Sequence, residues 1–74
     1  MSVRTRYYLR DRKGQTLQGP FPDLDSALGC PKPAESGATL VAEHSGLGTP
    51  TAPRTETVRL LAWRATLDAF VAVP

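Results

Sequence analysis

The sequence predicts a small α+β protein in which an antiparallel β-sheet packs against one short helix. Three observations support this prediction: an alternating stretch near the N-terminus, a short capped apolar stretch that ends at prolines, and β-branched runs in the second half. The predicted order of elements is β-β-α-β-β-β. A length of 74 residues leaves room for a single small domain, residues 1–74.

The first two strands are predicted as a hairpin over residues 3–21. "VRTRYYLR" alternates, so that Val3, Thr5, Tyr7 and Leu9 share one face. "DRKG" follows as a turn in which Gly14 can adopt a positive φ. "QTLQGPF" then alternates again and ends the second strand near Gly19-Pro20.

The segment "FPDLDSALGCPKP" predicts a helix of two turns at most. Asp23 is placed to cap its N-terminus, and Asp25 lies in the first turn, where the helix dipole favours negative charge. Gly29 is suited to a left-handed exit, and the prolines behind it prevent continuation. The apolar face follows the spacing i, i+3, i+4 and comprises Leu24, Ala27 and Leu28.

The middle of the chain predicts one more strand and then a loop. "ATLVAEH", residues 38–44, has Leu40 and Ala42 on one side and Val41 on the other. Residues 45–55 are rich in Gly, Pro, Thr and Ser, which is typical of a loop. We expect residues 45–55 to be a flexible loop within the domain.

The C-terminal stretch fits two structures. As strands, "TVRLLAWR" and "AFVAV" form a hairpin with a turn around residues 65–68, which their β-branched and aromatic content favours. As a helix over residues 56–70, the same stretch has an apolar stripe of Leu60, Trp63, Leu67 and Phe70. The hairpin is the preferred prediction.

Nine residues are predicted to form the core. A domain of this size buries only about 60% of the surface of its unfolded chain, so self-association into a homo-oligomer is a further expectation. Trp63, the single tryptophan, is also assigned to the interior rather than to an interface. The nine are Tyr7, Leu9, Leu17, Phe21, Leu24, Leu28, Leu40, Leu60 and Phe70.

Composition limits the cellular location and the cofactors. Cys30 is the only cysteine, which excludes an internal disulfide and favours a reducing cytoplasm. No apolar run approaches the roughly 20 residues of a membrane-spanning helix, so we expect no membrane association. One Cys and one His cannot supply a four-ligand zinc site, and we expect neither a metal nor another cofactor.

Enzymatic activity is not expected. Cys30 follows a predicted helix C-terminus, which disfavours a thiolate, and His44 is the only imidazole with which it could pair. "HSGLG", residues 44–48, lacks the spacing of a nucleophile elbow and the lysine of a phosphate-binding loop. The carboxylates of Asp23 and Asp25 are explained by helix capping.

A row of basic residues is the candidate binding site. In a strand over residues 3–12, alternate side chains share one face at about 6.6–7 Å spacing, close to that of phosphates along a nucleic-acid strand. Residues 1–19 hold five basic residues against one acidic, residues 20–45 one against four, and residues 46–74 three against two. The candidates are Arg4, Arg6, Tyr8, Arg10 and Arg12, with Arg59 as an extension.

This row fits a solvated strand face, a surface for a protein partner or a nucleic-acid-binding face in which Tyr8 stacks on a base. The protein partner is preferred to the nucleic acid because a net charge of +2 is low for a dedicated nucleic-acid binder. The sequence thus predicts a non-catalytic interaction protein.

The succession of "YYLR", "DLDSAL", "ATLVAEH" and "FVAV" resembles small accessory proteins of phages and prophages, among them anti-CRISPR proteins. The resemblance lies in size and element order and covers most of the chain. It implies an inhibitor that occupies a surface of a larger complex, although a nucleic-acid mimic would be acidic and this chain is slightly basic. A likeness to the β-sheet arm domains of recombinases would imply DNA binding instead.

Overall fold

The structure, a computed structural model, describes residues 3–73. Five antiparallel strands form one sheet in the order β2-β1-β3-β4-β5, accompanied by one helix of five residues. The predicted fold class is confirmed in outline, whereas several element bounds differ. The elements are β1 (Arg4–Arg10), β2 (Thr16–Phe21), α1 (Leu24–Leu28), β3 (Thr39–Thr49), β4 (Ala52–Arg64) and β5 (Ala69–Ala72).

The predicted N-terminal hairpin is confirmed as β1 and β2. Its turn is held by Asp11, whose Oδ1 accepts the backbone N–H of Lys13 and of Gln15, both at 2.9 Å. Gly14 has a φ of 85°, the left-handed conformation that the sequence predicted. Strand β1 ends at Arg10, because the side chain of Asp11 starts the turn there.

The short helix begins as predicted but ends differently. Asp23 caps α1 and accepts the backbone N–H of Ser26 at 2.7 Å. Gly29 has a φ of −84°, so the prediction of a left-handed exit is wrong. Instead, the Gly29 N–H donates to the carbonyls of Asp25 and Ser26, and the Lys32 ammonium donates to the carbonyls of Leu28 and Cys30. These donors satisfy the helix end without a positive φ.

Residues 45–55 correct the loop prediction. Strand β3 continues to Thr49 and β4 starts at Ala52, which leaves only Pro50 and Thr51 between them. A Cβ at Gly48 would lie 2.3 Å from the Ala52 carbonyl oxygen, so glycine there lets the two strands approach closely. The residue types that indicated a loop thus build the end of a long hairpin.

The C-terminal stretch is a hairpin, and the helical alternative over residues 56–70 is wrong. Trp63 in β4 lies opposite Phe70 in β5, and their ring centroids are 5.1 Å apart in an edge-to-face arrangement. The helical stripe fails because Leu67 lies in the turn between the strands and is 65% exposed. Cross-strand pairing therefore explains the aromatic spacing better than helical periodicity does.

The core lies on one side of the sheet, which we call the inner face. Leu9 and Leu40 are buried as predicted, together with Trp63. Residues 29–38 cross this face and are tied to β4, because Trp63 Nε1 donates to the Pro33 carbonyl and Trp63 N–H to the Ala38 carbonyl. Further buried residues of the core are Cys30, Ala38 and Ala27.

Three predicted core residues, Leu17, Leu24 and Leu28, are exposed. The helix is too short to press more than Ala27 against the sheet, so its two leucines lie at the margin. The other predicted core residues are half-buried: Tyr7, Phe21, Leu60 and Phe70. Within residues 3–73, no helix is long and apolar enough to cross a membrane.

Candidate binding face

The register of three strands gathers the basic side chains on the side opposite the core, which we call the outer face. Arg6 lies opposite Glu43, and Tyr8 lies opposite Val41. Val41 in turn lies opposite Arg59 on β4. Directly opposite residues of an antiparallel pair project to the same side. Arg59 therefore lies on the same face as the β1 row, with β3 between them, because a register shift between Leu40 and Val41 separates it from the side of Leu61.

Tyr8 and Arg10 form the centre of the outer face. The Arg10 guanidinium carbon lies 5.2 Å from the centroid of the Tyr8 ring, and Arg10 Nη2 bonds Glu43 Oε2 at 3.2 Å. Beneath this cover Val41 is 4% exposed, although it points away from the core. Arg10 therefore supports the fold in addition to being a candidate ligand-binding residue, and its Nε is buried with no partner among residues 3–73.

Arg4, Arg6 and Arg59 are exposed on the outer face. The salt bridges within residues 3–73 are Arg10 to Glu43 and Arg54 to Glu56, so none of these three arginines is paired there. Glu43, the acidic side chain in the middle of the face, is already bound to Arg10. The outer face therefore presents uncompensated positive charge.

The prediction that Arg12 continues the row of basic side chains on β1 is wrong. Arg12 lies in the β1–β2 turn, beyond the last residue of the strand. Arg12 Nη2 donates to the Ser36 carbonyl at 3.3 Å. Its chain also crosses Gly37, where a Cβ would lie 2.1 Å from Arg12 Nε. Arg12 is thus fixed by the segment that covers the core.

Arg12 nevertheless lines, together with Arg10 and Arg59, a concavity of about 400 Å³ at one end of the outer face. We call this concavity the arginine pocket. The sequence did not indicate it, because it depends on the register of β3 and β4 and on the path of residues 36–38. The lining residues are Arg10, Asp11, Arg12, Gly14, Gly37, Thr39, Val41, Thr57 and Arg59.

Cys30 and His44, the two residues considered for catalysis, contact residues of the core and of the sheet. Cys30 is buried in the core cluster with Leu9, Ala38 and Trp63. His44 lies within β3, where its Nδ1 is 2.8 Å from Thr5 Oγ1. Among residues 3–73 no three His, Cys, Asp or Glu side chains are grouped to hold a metal ion.

The pKa of Asp23 is lowered by its position as the helix cap. The backbone N–H of Ser26 and then its side chain donate to the Asp23 carboxylate, which holds the pKa of Asp23 below the usual 3.8. The shift follows from helix capping, since these donors favour the ionised form. It therefore gives no indication of acid–base catalysis.

These features describe a small antiparallel sheet with one face covered by a short helix and residues 29–38 and the other face basic. No protein-family model, no curated protein and no solved structure matches the chain. The chemistry of the outer face therefore carries the functional proposal.

Proposed function

We propose that this chain is a non-catalytic interaction protein whose outer face binds an acidic surface of a larger protein. The observation that carries the proposal is the group of Arg4, Arg6 and Arg59, which are exposed together with no carboxylate paired to them within residues 3–73. Guanidinium groups suit carboxylates because they donate in a planar fork. Size and element order support a phage-type accessory or inhibitor protein.

The arrangement of Tyr8 favours a protein partner over nucleic acid. Single-stranded nucleic acids bind on exposed aromatic rings, on which the bases stack. Here the Arg10 guanidinium lies over the Tyr8 ring, and the tyrosine is only half-exposed. A base that stacks on this side of the ring has to displace the Arg10 guanidinium, which is also bonded to Glu43.

Burial of the thiol supports the absence of catalysis. Cys30 is 5% exposed and packs against Trp63, whereas a nucleophilic cysteine needs access to substrate. His44, the only imidazole, is engaged with Thr5 on β1. Neither residue lines the arginine pocket.

The proposal is tested by quantitative capture of proteins from a lysate of the native cell. The variant Arg4→Gln/Arg6→Gln removes two charges from the outer face without placing a carboxylate opposite Glu43. The matched control, Lys13→Gln/Arg54→Gln, removes two exposed charges from the turn and from the β3–β4 hairpin. We expect the outer-face variant to lose a captured protein that the control retains, and equal capture by both would overturn the proposal.

Nucleic-acid binding is tested separately by electrophoretic shift with single-stranded and duplex DNA and RNA at about 50 mM salt. The proposal predicts no shift at that concentration. A shift that weakens steeply as salt rises would assign the outer face to phosphate backbones instead, because counterion release gives such binding its salt dependence.

A further inference from the structure

We propose that the arginine pocket is a binding site for the phosphate group of a small phosphorylated molecule. This goes beyond the protein-binding surface: the pocket lies at one end of the outer face and shares only Arg59 with the protein-binding group, whereas Arg4 and Arg6 do not line it. Arg10 enters the pocket from β1, Arg12 from the β1–β2 turn and Arg59 from β4.

The charges around the pocket favour an anion. Its lining residues include three arginines, Arg10, Arg12 and Arg59, against one acidic residue, Asp11. Asp11 Oδ1 already accepts two backbone N–H groups of its turn, and Glu43 compensates Arg10 from the neighbouring strand. Arg12 and Arg59 have no carboxylate within salt-bridge distance among residues 3–73. A phosphate monoester, with up to two negative charges, would offset both guanidinium groups.

Arg12 is held in place before any ligand arrives. Its Nη2 donates to the Ser36 carbonyl, and its side chain crosses Gly37, where φ is 115° and any Cβ would collide with Nε. Ser36 and Gly37 are themselves anchored to the end of β4: Ser36 Oγ accepts the Ala65 N–H at 2.8 Å, and Gly37 N–H donates to the Trp63 carbonyl at 3.4 Å. An arginine fixed in this way loses little conformational entropy when it binds.

The hydroxyl groups and the volume of the arginine pocket indicate a ligand in which the phosphate carries a further group. Thr39 on β3 and Thr57 on β4 line the pocket, and hydroxyl groups donate readily to phosphate oxygens. A volume of about 400 Å³ is within the range of roughly 300–1,000 Å³ that is typical of small-molecule sites. It exceeds what one phosphate fills, so the remaining space suits a group of the size of a sugar.

The test is a titration followed by ¹H–¹⁵N NMR at constant ionic strength, with inorganic phosphate, ribose 5-phosphate and unphosphorylated ribose as probes. We expect saturable shifts of the Gly37, Thr39 and Thr57 amides with both phosphates and none with ribose. Ribose 5-phosphate should bind with a Kd below about 1 mM and more tightly than inorganic phosphate. Absence of saturation by either phosphate, or equal shifts with ribose, would overturn the proposal.

Variants assign the binding to the pocket. Arg12→Gln and, separately, Arg59→Gln should each weaken phosphate binding about tenfold or more, as expected for the loss of a charge-assisted hydrogen bond. Arg12→Gln could also perturb the β1–β2 turn. Arg59→Gln is free of this problem, because Arg59 is an exposed residue on a paired strand. Unchanged affinity in Arg59→Gln would contradict the proposal.

The control variant Arg4→Gln/Arg6→Gln distinguishes this site from the protein-binding surface. It should retain the phosphate affinity within about twofold, even though it loses the protein partner. If this variant loses phosphate binding to the same extent as Arg59→Gln, the phosphate is attracted by the overall positive charge of the outer face and is not bound in the arginine pocket. Retention of protein capture by the variant would count against the outer-face partner and would leave the pocket result standing.

Discussion

The two faces of the sheet are built from the same strands but are covered differently. The inner face is covered by α1 and residues 29–38, the segment that joins β2 to β3, whereas the outer face is covered only by its own side chains. Strand β3 is covered on both of its faces, since the consecutive residues Leu40, Val41 and Ala42 are all buried. The inner face therefore carries the stability, and the outer face leaves its arginines available for binding.

Trp63→Ala should have the largest effect on stability. Trp63 is 3% exposed, packs on Phe70 and anchors residues 33–38 through its indole N–H and its backbone. We expect a loss of about 3–5 kcal/mol in the free energy of unfolding, a large part of the roughly 4–11 kcal/mol expected for a domain of this length. Urea denaturation measures it, with Trp63→Phe as an intermediate case, and a loss below about 1 kcal/mol would contradict the assignment of the core.

Leu40→Ala should rank second, and Leu17→Ala is its control. Leu40 is completely buried, so its replacement by alanine should lower the free energy of unfolding by about 2–5 kcal/mol. Leu17 is 46% exposed, so its replacement should lower it by less than about 1 kcal/mol. The sequence assigns both leucines to the core, whereas the structure buries only Leu40. The two variants therefore test the structure against the sequence pattern. Equal losses in the two variants would show that β2 is more tightly packed than the structure has it.

Arg10→Ala should have a smaller effect on stability. The substitution removes the ion pair with Glu43 and uncovers Tyr8 and Val41, and both charged partners remain partly exposed to solvent. We expect a loss of about 1 kcal/mol. A double-mutant cycle with Glu43→Ala isolates the pair, and a coupling of zero would show that Arg10 acts on stability by covering Tyr8 alone.

Asp23 should give the smallest effect, visible as a pH dependence. Its pKa is lower in the folded protein than the 3.8 of a free side chain. Its stabilising contribution is thus fully present above that value and is lost as the pH falls through the lower, folded pKa. The melting temperatures of the natural chain and of Asp23→Ala should therefore converge in acid, and a difference that stays constant from neutral pH to pH about 2 would exclude capping by the carboxylate.

Local sequence patterns predicted the hairpin of β1 and β2, the cap at Asp23 and the terminal hairpin, because period-two alternation and capping depend on neighbouring residues. The continuation of β3 and β4 through residues 45–55 was missed, because Gly, Pro and Thr indicate a loop by composition while cross-strand pairing decides the outcome.

The site was predictable only in part. Alternation placed Arg4, Arg6, Tyr8 and Arg10 on one face, and the structure adds Arg59 to it through the register of β3 with β4. The arginine pocket was not predictable, since it needs Arg12 to leave the strand and cross Gly37. That contact joins residues 25 positions apart in sequence, and no local pattern encodes it.

Arginine footprinting of the captured complex shows directly whether the outer face is the binding surface. Phenylglyoxal modifies accessible guanidinium groups, and mass spectrometry compares each arginine in the free and the bound chain. We expect binding of the acidic partner to protect Arg4, Arg6 and Arg59, while Arg54 on the β3–β4 hairpin stays reactive. Protection of Arg54 with Arg4, Arg6 and Arg59 still fully reactive would show that the partner binds elsewhere and would exclude the outer face as its binding surface.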